Sequence, residues 1–473
     1  MAAKKKDDKY KELREQLLTP KKGGTAKLSE ERIAAADEFC KDYIRFLNTA
    51  KTERESNAEI IRLAKEHGFA EYQQGKKYAA GDRIFYNNRG KAVILAVIGE
   101  QPVEQGVHIS AAHIDSPRLD LKQNPLYESE NLAYFKTHYY GGIKKYQWTT
   151  VPLSLHGVVY LKNGESVKVN IGEDEGDPQF CVTDLLIHLA GDQMGKRATE
   201  VVTGEQLNIL IGSRALPDDE GSDSVKLAVL KLLNDKYGMI EADLLSAELE
   251  AVPAMPARDV GLDRSMIGAY GHDDRVCAYP SFMAAFNVEK PLKTFVCCLA
   301  DKEEIGSEGP TGLNSSFLRY FITDLAEAQG GCGRVALSNS KCLSADVNGA
   351  FDPNFGEAFE RRNSCYINGG TCLTKFTGAR GKSGSNDASA ETVAYFRTLF
   401  DSNDVLWQTG ELGKVDGGGG GTVALYISSM DVDTVDLGVP VLSMHAPWEI
   451  VSKIDVYETY RAILSFASDR SGK

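Results

Sequence analysis

Thr294-Phe295-Val296-Cys297-Cys298-Leu299-Ala300, followed directly by Asp301-Lys302-Glu303-Glu304, decides how the chain is read. A run this short and nearly all apolar has the length of a strand. Lacking polar alternation, it suits a parallel strand covered on both faces. Cys297 and Cys298 then point to opposite faces and do not pair. Open α/β sheets place their chemistry beyond the carboxyl ends of such strands, where Asp301 to Glu304 fall. Outward from this stretch the pattern repeats. Val107 to Ala112 is a second apolar run, ending in His113-Ile114-Asp115. Arg83 to Tyr86 and Ala92 to Ile98 form a hairpin around a turn at Asn87-Asn88-Arg89-Gly90. From residue 258 onward buried strands alternate with helices, and Thr434 to Met444 carries the last strand.

Two helices precede the hairpin. Ile33, Ala36, Cys40, Tyr43, Ile44 and Leu47 recur three and four apart behind a Ser29 cap. The next helix starts at Thr52, with Glu55 at capping-box spacing, and stops at Gly68. Residues 120–257 differ, with short alternating stretches such as Val167-Lys168-Val169-Asn170-Ile171 separated by glycine-rich turns. The expected organisation is α/β: one discontinuous domain over 1–119 and 258–473, with a β-rich domain inserted over 120–257. The insertion closes at Val252-Pro253-Ala254-Met255-Pro256, and the charged residues 1–26 read as a loosely packed arm.

Composition narrows the function. With 473 residues, 42% of them hydrophobic, the chain has material for a large core. Its 54 Lys and Arg against 67 Asp and Glu leave a net charge of −13, which disfavours nucleic acid and anionic membrane as partners. The longest aliphatic run, Ala92 to Ile98, is far short of the ~18 residues of a membrane span. Nine cysteines, an odd number without CxxC pairs, read as reduced thiols of a cytoplasmic protein. The N-terminus, MAAKKKDDKYKELREQ, has no apolar stretch of a secretory signal.

Five segments put metal-ligating residue types after apolar runs: His113-Ile114-Asp115, His272-Asp273-Asp274-Arg275, Asp301 to Glu304, Ser344-Ala345-Asp346 and Met444-His445. Singly, each is better read as a structural histidine or a solvated acidic loop. Together they match a chemistry. Two His, one bridging Asp and two further carboxylates supply two Zn²⁺ sites that share a ligand, with one carboxylate left as general base. Hydrolysis of an amide is the reaction class. Mn²⁺ and Co²⁺ compete for such oxygen-rich sites.

The ordered set His113-Ile114-Asp115-Ser116-Pro117-Arg118, Tyr140-Gly141-Gly142, Asp273-Asp274, Glu303-Glu304-Ile305-Gly306-Ser307, Ser344-Ala345-Asp346 and Leu437-Gly438 through Leu442, Met444 and His445 resembles the aspartyl aminopeptidase and vacuolar aminopeptidase family of cocatalytic zinc metallopeptidases. The resemblance spans roughly residues 30–465. It implies a zinc-exopeptidase-like central mixed sheet flanked by helices, with the insertion making dimer contacts. It implies two divalent ions, His113 and Asp346 binding one, Glu304 and His445 the other, and Asp273 bridging them. Glu303 would be the general base and Asp115 would hold the His113 imidazole in its tautomer. The Asp273–Asp274 peptide is expected to be cis. The resemblance also implies peptide substrates, a preference for N-terminal Asp or Glu, and a tetrahedral dodecamer built from dimers.

Asp274 is expected to pair with Arg275 or to support a ligand, Asp301 to be structural and His272 to be local packing. Where better-known relatives carry histidines, this chain has Asp184, Gly349 and Asp352. These departures bear on specificity, and Lys375 aligns with a lysine able to meet an acidic substrate side chain. Gly417 to Gly421 lacks the Lys-Ser/Thr of a nucleotide-binding loop and suits close backbone approach near the metals. Two alternatives stay open: a related amidohydrolase of the N-acyl amino-acid deacylase or carboxypeptidase type, and a metal-free scaffold.

Overall fold

The computed structural model describes residues 10–18 and 28–472. The arm expected over residues 1–26 lies largely outside them; within it, Lys11–Leu17 is a helix with no buried side chain. Phe295–Ala300 is a strand whose six residues are all buried. It lies inside a nine-stranded sheet, beside His108–His113, Lys341–Ala345 and Asp433–Gly438 in that order. These four strands run parallel, so their carboxyl ends emerge along one edge. The hairpin Arg83–Asn88 and Ala92–Val97 extends the sheet antiparallel on one side. Thr371–Thr374 does so on the other, making the sheet mixed.

Both faces are covered. Cys297 packs into one core with Phe282, Leu343 and Phe466, and Cys298 into the other with Phe321, Ile322 and Ile427. All nine cysteines are unpaired. The helix Glu30–Thr49 begins at Ser29, whose hydroxyl accepts the Arg32 amide hydrogen. It buries Ala36, Cys40, Tyr43, Phe46 and Leu47, while Ile33 stays at the surface. Thr52 and Glu55 close a reciprocal capping box at the start of Glu53–Glu66. Among the described residues no helix is long and apolar enough to cross a membrane.

A second sheet of seven antiparallel strands runs from Arg118–Ser129 to Ala247–Pro253. It carries the helix Ser224–Tyr237 as well. A third sheet of five short strands, not anticipated, joins Met266–Ala269 to Glu449–Ser452 and Pro440–Leu442.

The single strand read over Thr434 to Met444 is two: Asp433–Gly438 in the large sheet and Pro440–Leu442 in the third. Its backbone keeps pairing with 346–350 as both segments leave the large sheet, with Asn348 N donating to Val439 O at 3.1 Å and Ala350 N to Val441 O at 2.9 Å. Gly438 permits that crossing, because a Cβ there would lie 1.6 Å from Asp346 O.

Candidate metal centre

Four ligand candidates leave the common edge of the parallel strands. His113 ends His108–His113, Asp346 follows Lys341–Ala345, and Glu303 and Glu304 open a short turn just beyond Phe295–Ala300. Asp273 comes from the start of His272–Asn287, where Gly271 has φ 70°. The Asp273–Asp274 bond is cis, as expected. His445 follows Pro440–Leu442 in the left-handed region, φ 64°, a conformation uncommon for non-glycine residues.

These side chains converge. His113 Nε2 lies 3.2 Å from Asp273 Oδ1, 3.8 Å from Glu303 Oε2 and 3.9 Å from Asp346 Oδ1. His445 Nε2 lies 3.0 Å from Asp273 Oδ2 and 3.4 Å from Glu304 Oε1. Donor atoms bound to one Zn²⁺ at about 2.0–2.2 Å sit about 3.4 Å apart on a tetrahedron, close to these separations. Three groups of possible ligands have their donor atoms within 4.8 Å of one another: His113 with Asp273 and Asp346, Glu304 with Asp273 and His445, and His113 with Glu303 and Glu304. Asp273 belongs to the first two, one oxygen to each.

The donor set fits cations. Nε2 of His113 and Oε1 of Glu304 are buried with no hydrogen-bond partner. Burial and the crowding of carboxylates raise Glu304 and Asp346 well above the ordinary range. Burial, opposed by His113 and reinforced by Asp115 and Asp273, pushes Glu303 up to about 7. Burial works against a charged His445, but Asp273 and Glu304 outweigh it and lift the imidazole to about 10. The same pairing with His113 and His445 overcomes burial to lower Asp273. Positive charge is what this cluster lacks, and bound divalent cations would supply it.

Asp115 does more than orient His113. Nδ1 of His113 lies 3.0 Å from the Asp115 backbone oxygen and 3.2 Å from Oδ1. The same carboxylate accepts the amides of Glu303 and Glu304, each at 3.2 Å, and the Tyr140 hydroxyl at 2.8 Å. Sequence reading missed Glu449. Its buried carboxylate accepts the amide of His445 at 2.6 Å and that of Asp273 at 3.1 Å. Its one signal was a lone acid in the otherwise apolar stretch Trp448 to Val451.

His272 packs structurally, its ring nitrogens meeting Tyr43 Oη at 2.7 Å and Ile267 O at 3.1 Å. Asp301 accepts the Thr311 hydroxyl at 2.6 Å. Asp274 is buried without an Arg275 salt bridge. The guanidinium turns to the backbone oxygens of Gly271, Tyr270 and Ala50, which its rigid fork satisfies better.

A cavity of about 620 Å³ opens over the cluster, walled by Val347, Leu412, Leu425, Tyr426 and Met444 and by Gly419 to Gly421. Lys375 is absent from its lining; half-exposed, it pairs with Asp387 at 2.9 Å. Gly349 backs Leu412, Asp352 caps the turn at Pro353–Ala358, and Asp184 accepts from Gln193 at the surface. Gly419 passes close to Ala379, where a Cβ would lie 2.5 Å from its Cα.

Residues 46–467 match the family described as aminopeptidase I zinc metalloprotease (M18). A probable M18 family aminopeptidase 1 of Clostridium acetobutylicum is 49% identical over 435 residues, covering 90% of this chain and 93% of that protein. The crystal structure of an M18 aminopeptidase from Thermotoga maritima superposes with a TM-score of 0.91 at 40% identity, over 95% of this chain and all of that one. The dodecamer of S. cerevisiae mApe1 shares the fold, with a TM-score of 0.74 at 20% identity over 92% of this chain and 97% of that one. The chain belongs to the M18 family of zinc aminopeptidases, hydrolases of peptide bonds.

Proposed function

We propose that the chain removes the N-terminal residue of peptides using two divalent cations, Zn²⁺ foremost with Mn²⁺ or Co²⁺ able to compete. His113, Asp346 and Asp273 hold one, and Glu304, His445 and Asp273 the other. The observation that carries this reading is Asp273, whose two oxygens face different imidazoles at 3.2 and 3.0 Å. A pair of cations there supplies Lewis-acid activation of a water and of the scissile carbonyl. Glu303 is the general base: it takes the water's proton and returns it to the departing amine. Asp115 keeps Glu303 at the mouth of the site by holding its amide.

A free N-terminal amine is cationic and suits a cavity walled by carboxylates. The carboxylate of an N-acyl amino acid does not, and among the described lining residues there is no Lys or Arg. Val347, Leu412, Leu425 and Met444 favour a neutral, apolar N-terminal residue over Asp or Glu. We place the enzyme in the cytoplasm, consistent with nine unpaired cysteines. Residues 120–257 act as an assembly domain that builds dimers and from them a tetrahedral dodecamer. Support comes from the exposed Leu185, Leu186, Ile187 and Leu189 and from the dodecameric yeast neighbour.

The test is a panel of aminoacyl-arylamides bearing Leu, Ala, Lys, Asp or Glu, beside N-acetyl-leucine, with each metal added back. Faster turnover of Leu or Ala than of Asp or Glu supports the reading. Hydrolysis of N-acetyl-leucine with no cleavage of free-amine substrates overturns it.

A further inference from the structure

Three consecutive residues at the end of strand Leu132–Tyr140, which belongs to the seven-stranded sheet, reach three different parts of the centre. Tyr140 donates its hydroxyl to Asp115 Oδ2 at 2.8 Å. Gly141, at φ 78°, lies so close to Glu304 that a Cβ would stand 2.9 Å from Oε2. Gly142 offers its carbonyl to His445 Nδ1 at 2.7 Å.

Behind Tyr140 stands a buried cation. The Arg118 guanidinium lies over the Tyr140 ring, 3.9 Å from its centroid. It is held by Asp120 at 2.7 Å, Glu53 at 3.3 Å and Glu250 at 3.4 Å. Glu53 belongs to Glu53–Glu66, which flanks the large sheet, while Asp120 and Glu250 sit on the paired strands Arg118–Ser129 and Ala247–Pro253. The carboxylates thus come from both sides of the junction. Burying so many charges costs stability unless close pairing and hydrogen bonds offset the lost hydration.

We propose that Tyr140, backed by Arg118, is a positioning residue: through Asp115 it fixes the turn that carries Glu303 and Glu304, so the antiparallel sheet sets the geometry of the centre as well as any contacts between subunits. Asp115 holds both glutamate amides, and the Tyr140 hydroxyl fixes the rotamer of Asp115. An unfixed Asp115 leaves base and ligand free to drift from their working positions. This rests on the roles proposed above for Glu303 and Glu304.

The experiment compares Tyr140→Phe with wild type and with the neighbouring Tyr139→Phe. It measures kcat and KM on leucyl-arylamide and the visible absorption of the cobalt-substituted enzymes. For Tyr140→Phe we expect kcat to fall about 10–100-fold with KM within about twofold. The cobalt bands should shift in position or intensity, while the unfolding midpoint drops only by the few degrees that one lost hydrogen bond accounts for. Arg118→Lys, which keeps the charge but loses the planar stack, should fall between the two enzymes. A Tyr140→Phe enzyme matching Tyr139→Phe in both kcat and cobalt spectrum overturns the proposal. If Glu303→Gln instead retains full activity, the base assignment fails, and the cobalt spectrum of Tyr140→Phe still decides the positioning role.

Discussion

The carbonyl oxygen of Gly142 lies 2.7 Å from Nδ1 of His445. A carbonyl only accepts, so Nδ1 carries the proton and Nε2 is left as the ligand atom, facing Asp273 and Glu304. The contact spans 303 residues of sequence and joins the antiparallel sheet to the turn after Pro440–Leu442.

His445→Ala should leave one ligand group, His113 with Asp346 and Asp273, intact. Metal analysis after dialysis is expected to find about one tightly held ion per chain instead of two, with activity on leucyl-arylamide largely lost.

Gly438 is a second point where the centre depends on backbone packing. A Cβ there meets the Asp346 carbonyl oxygen at 1.6 Å, and backbone cannot step aside as a side-chain tip can. Gly438→Ala should cost about 1–3 kcal/mol in unfolding measurements and weaken Zn²⁺ binding by moving Asp346.

The pH dependence of kcat/KM follows from Glu303. As the proposed base Glu303 works only when ionised, and burial with Asp115 and Asp273 nearby raises its pKa to about 7. Bound cations pull it below that value. The rate should therefore fall tenfold per unit as the pH drops below a midpoint lying under 7, and a zinc-limited sample should keep that midpoint while losing amplitude.

His156 gives a pH effect on stability. It bridges Glu55 at 2.7 Å and Glu173 at 3.1 Å, and Lys51 also reaches Glu173 at 2.7 Å. Burial opposes its charge, but the two glutamates hold its pKa above the ordinary value. Its contribution is complete below the unfolded histidine's pKa of ~6.5 and is lost as the pH rises through the folded value. His156→Gln should lower urea-unfolding stability by about 2–4 kcal/mol at pH 6 and by less at pH 9.

Much of the centre was legible because apolar runs were followed at once by His, Asp or Glu. Phe295–Ala300 and His108–His113 are strands where the runs lie, and their ends carry the polar groups. What stayed hidden depends on contacts distant in sequence. Nothing local to Glu449 shows that it holds two amides of the site. The placing of Tyr140 behind Asp115 needs the register between Arg118–Ser129 and Leu132–Tyr140. The break at Gly438 was missed although Gly438 and Pro440 flank it, because Val439 and Val441 continue the strand-like pattern. Lys375 illustrates the converse: a suitable residue type that lies outside the cavity lining and, with Lys382, pairs with Asp387.

The most direct test of the central claim is kcat and metal content of Glu303→Gln measured on one preparation. The account predicts a fall in kcat on the order of 10²–10⁴-fold with both metal ions retained. Unchanged kcat at full metal loading would contradict it.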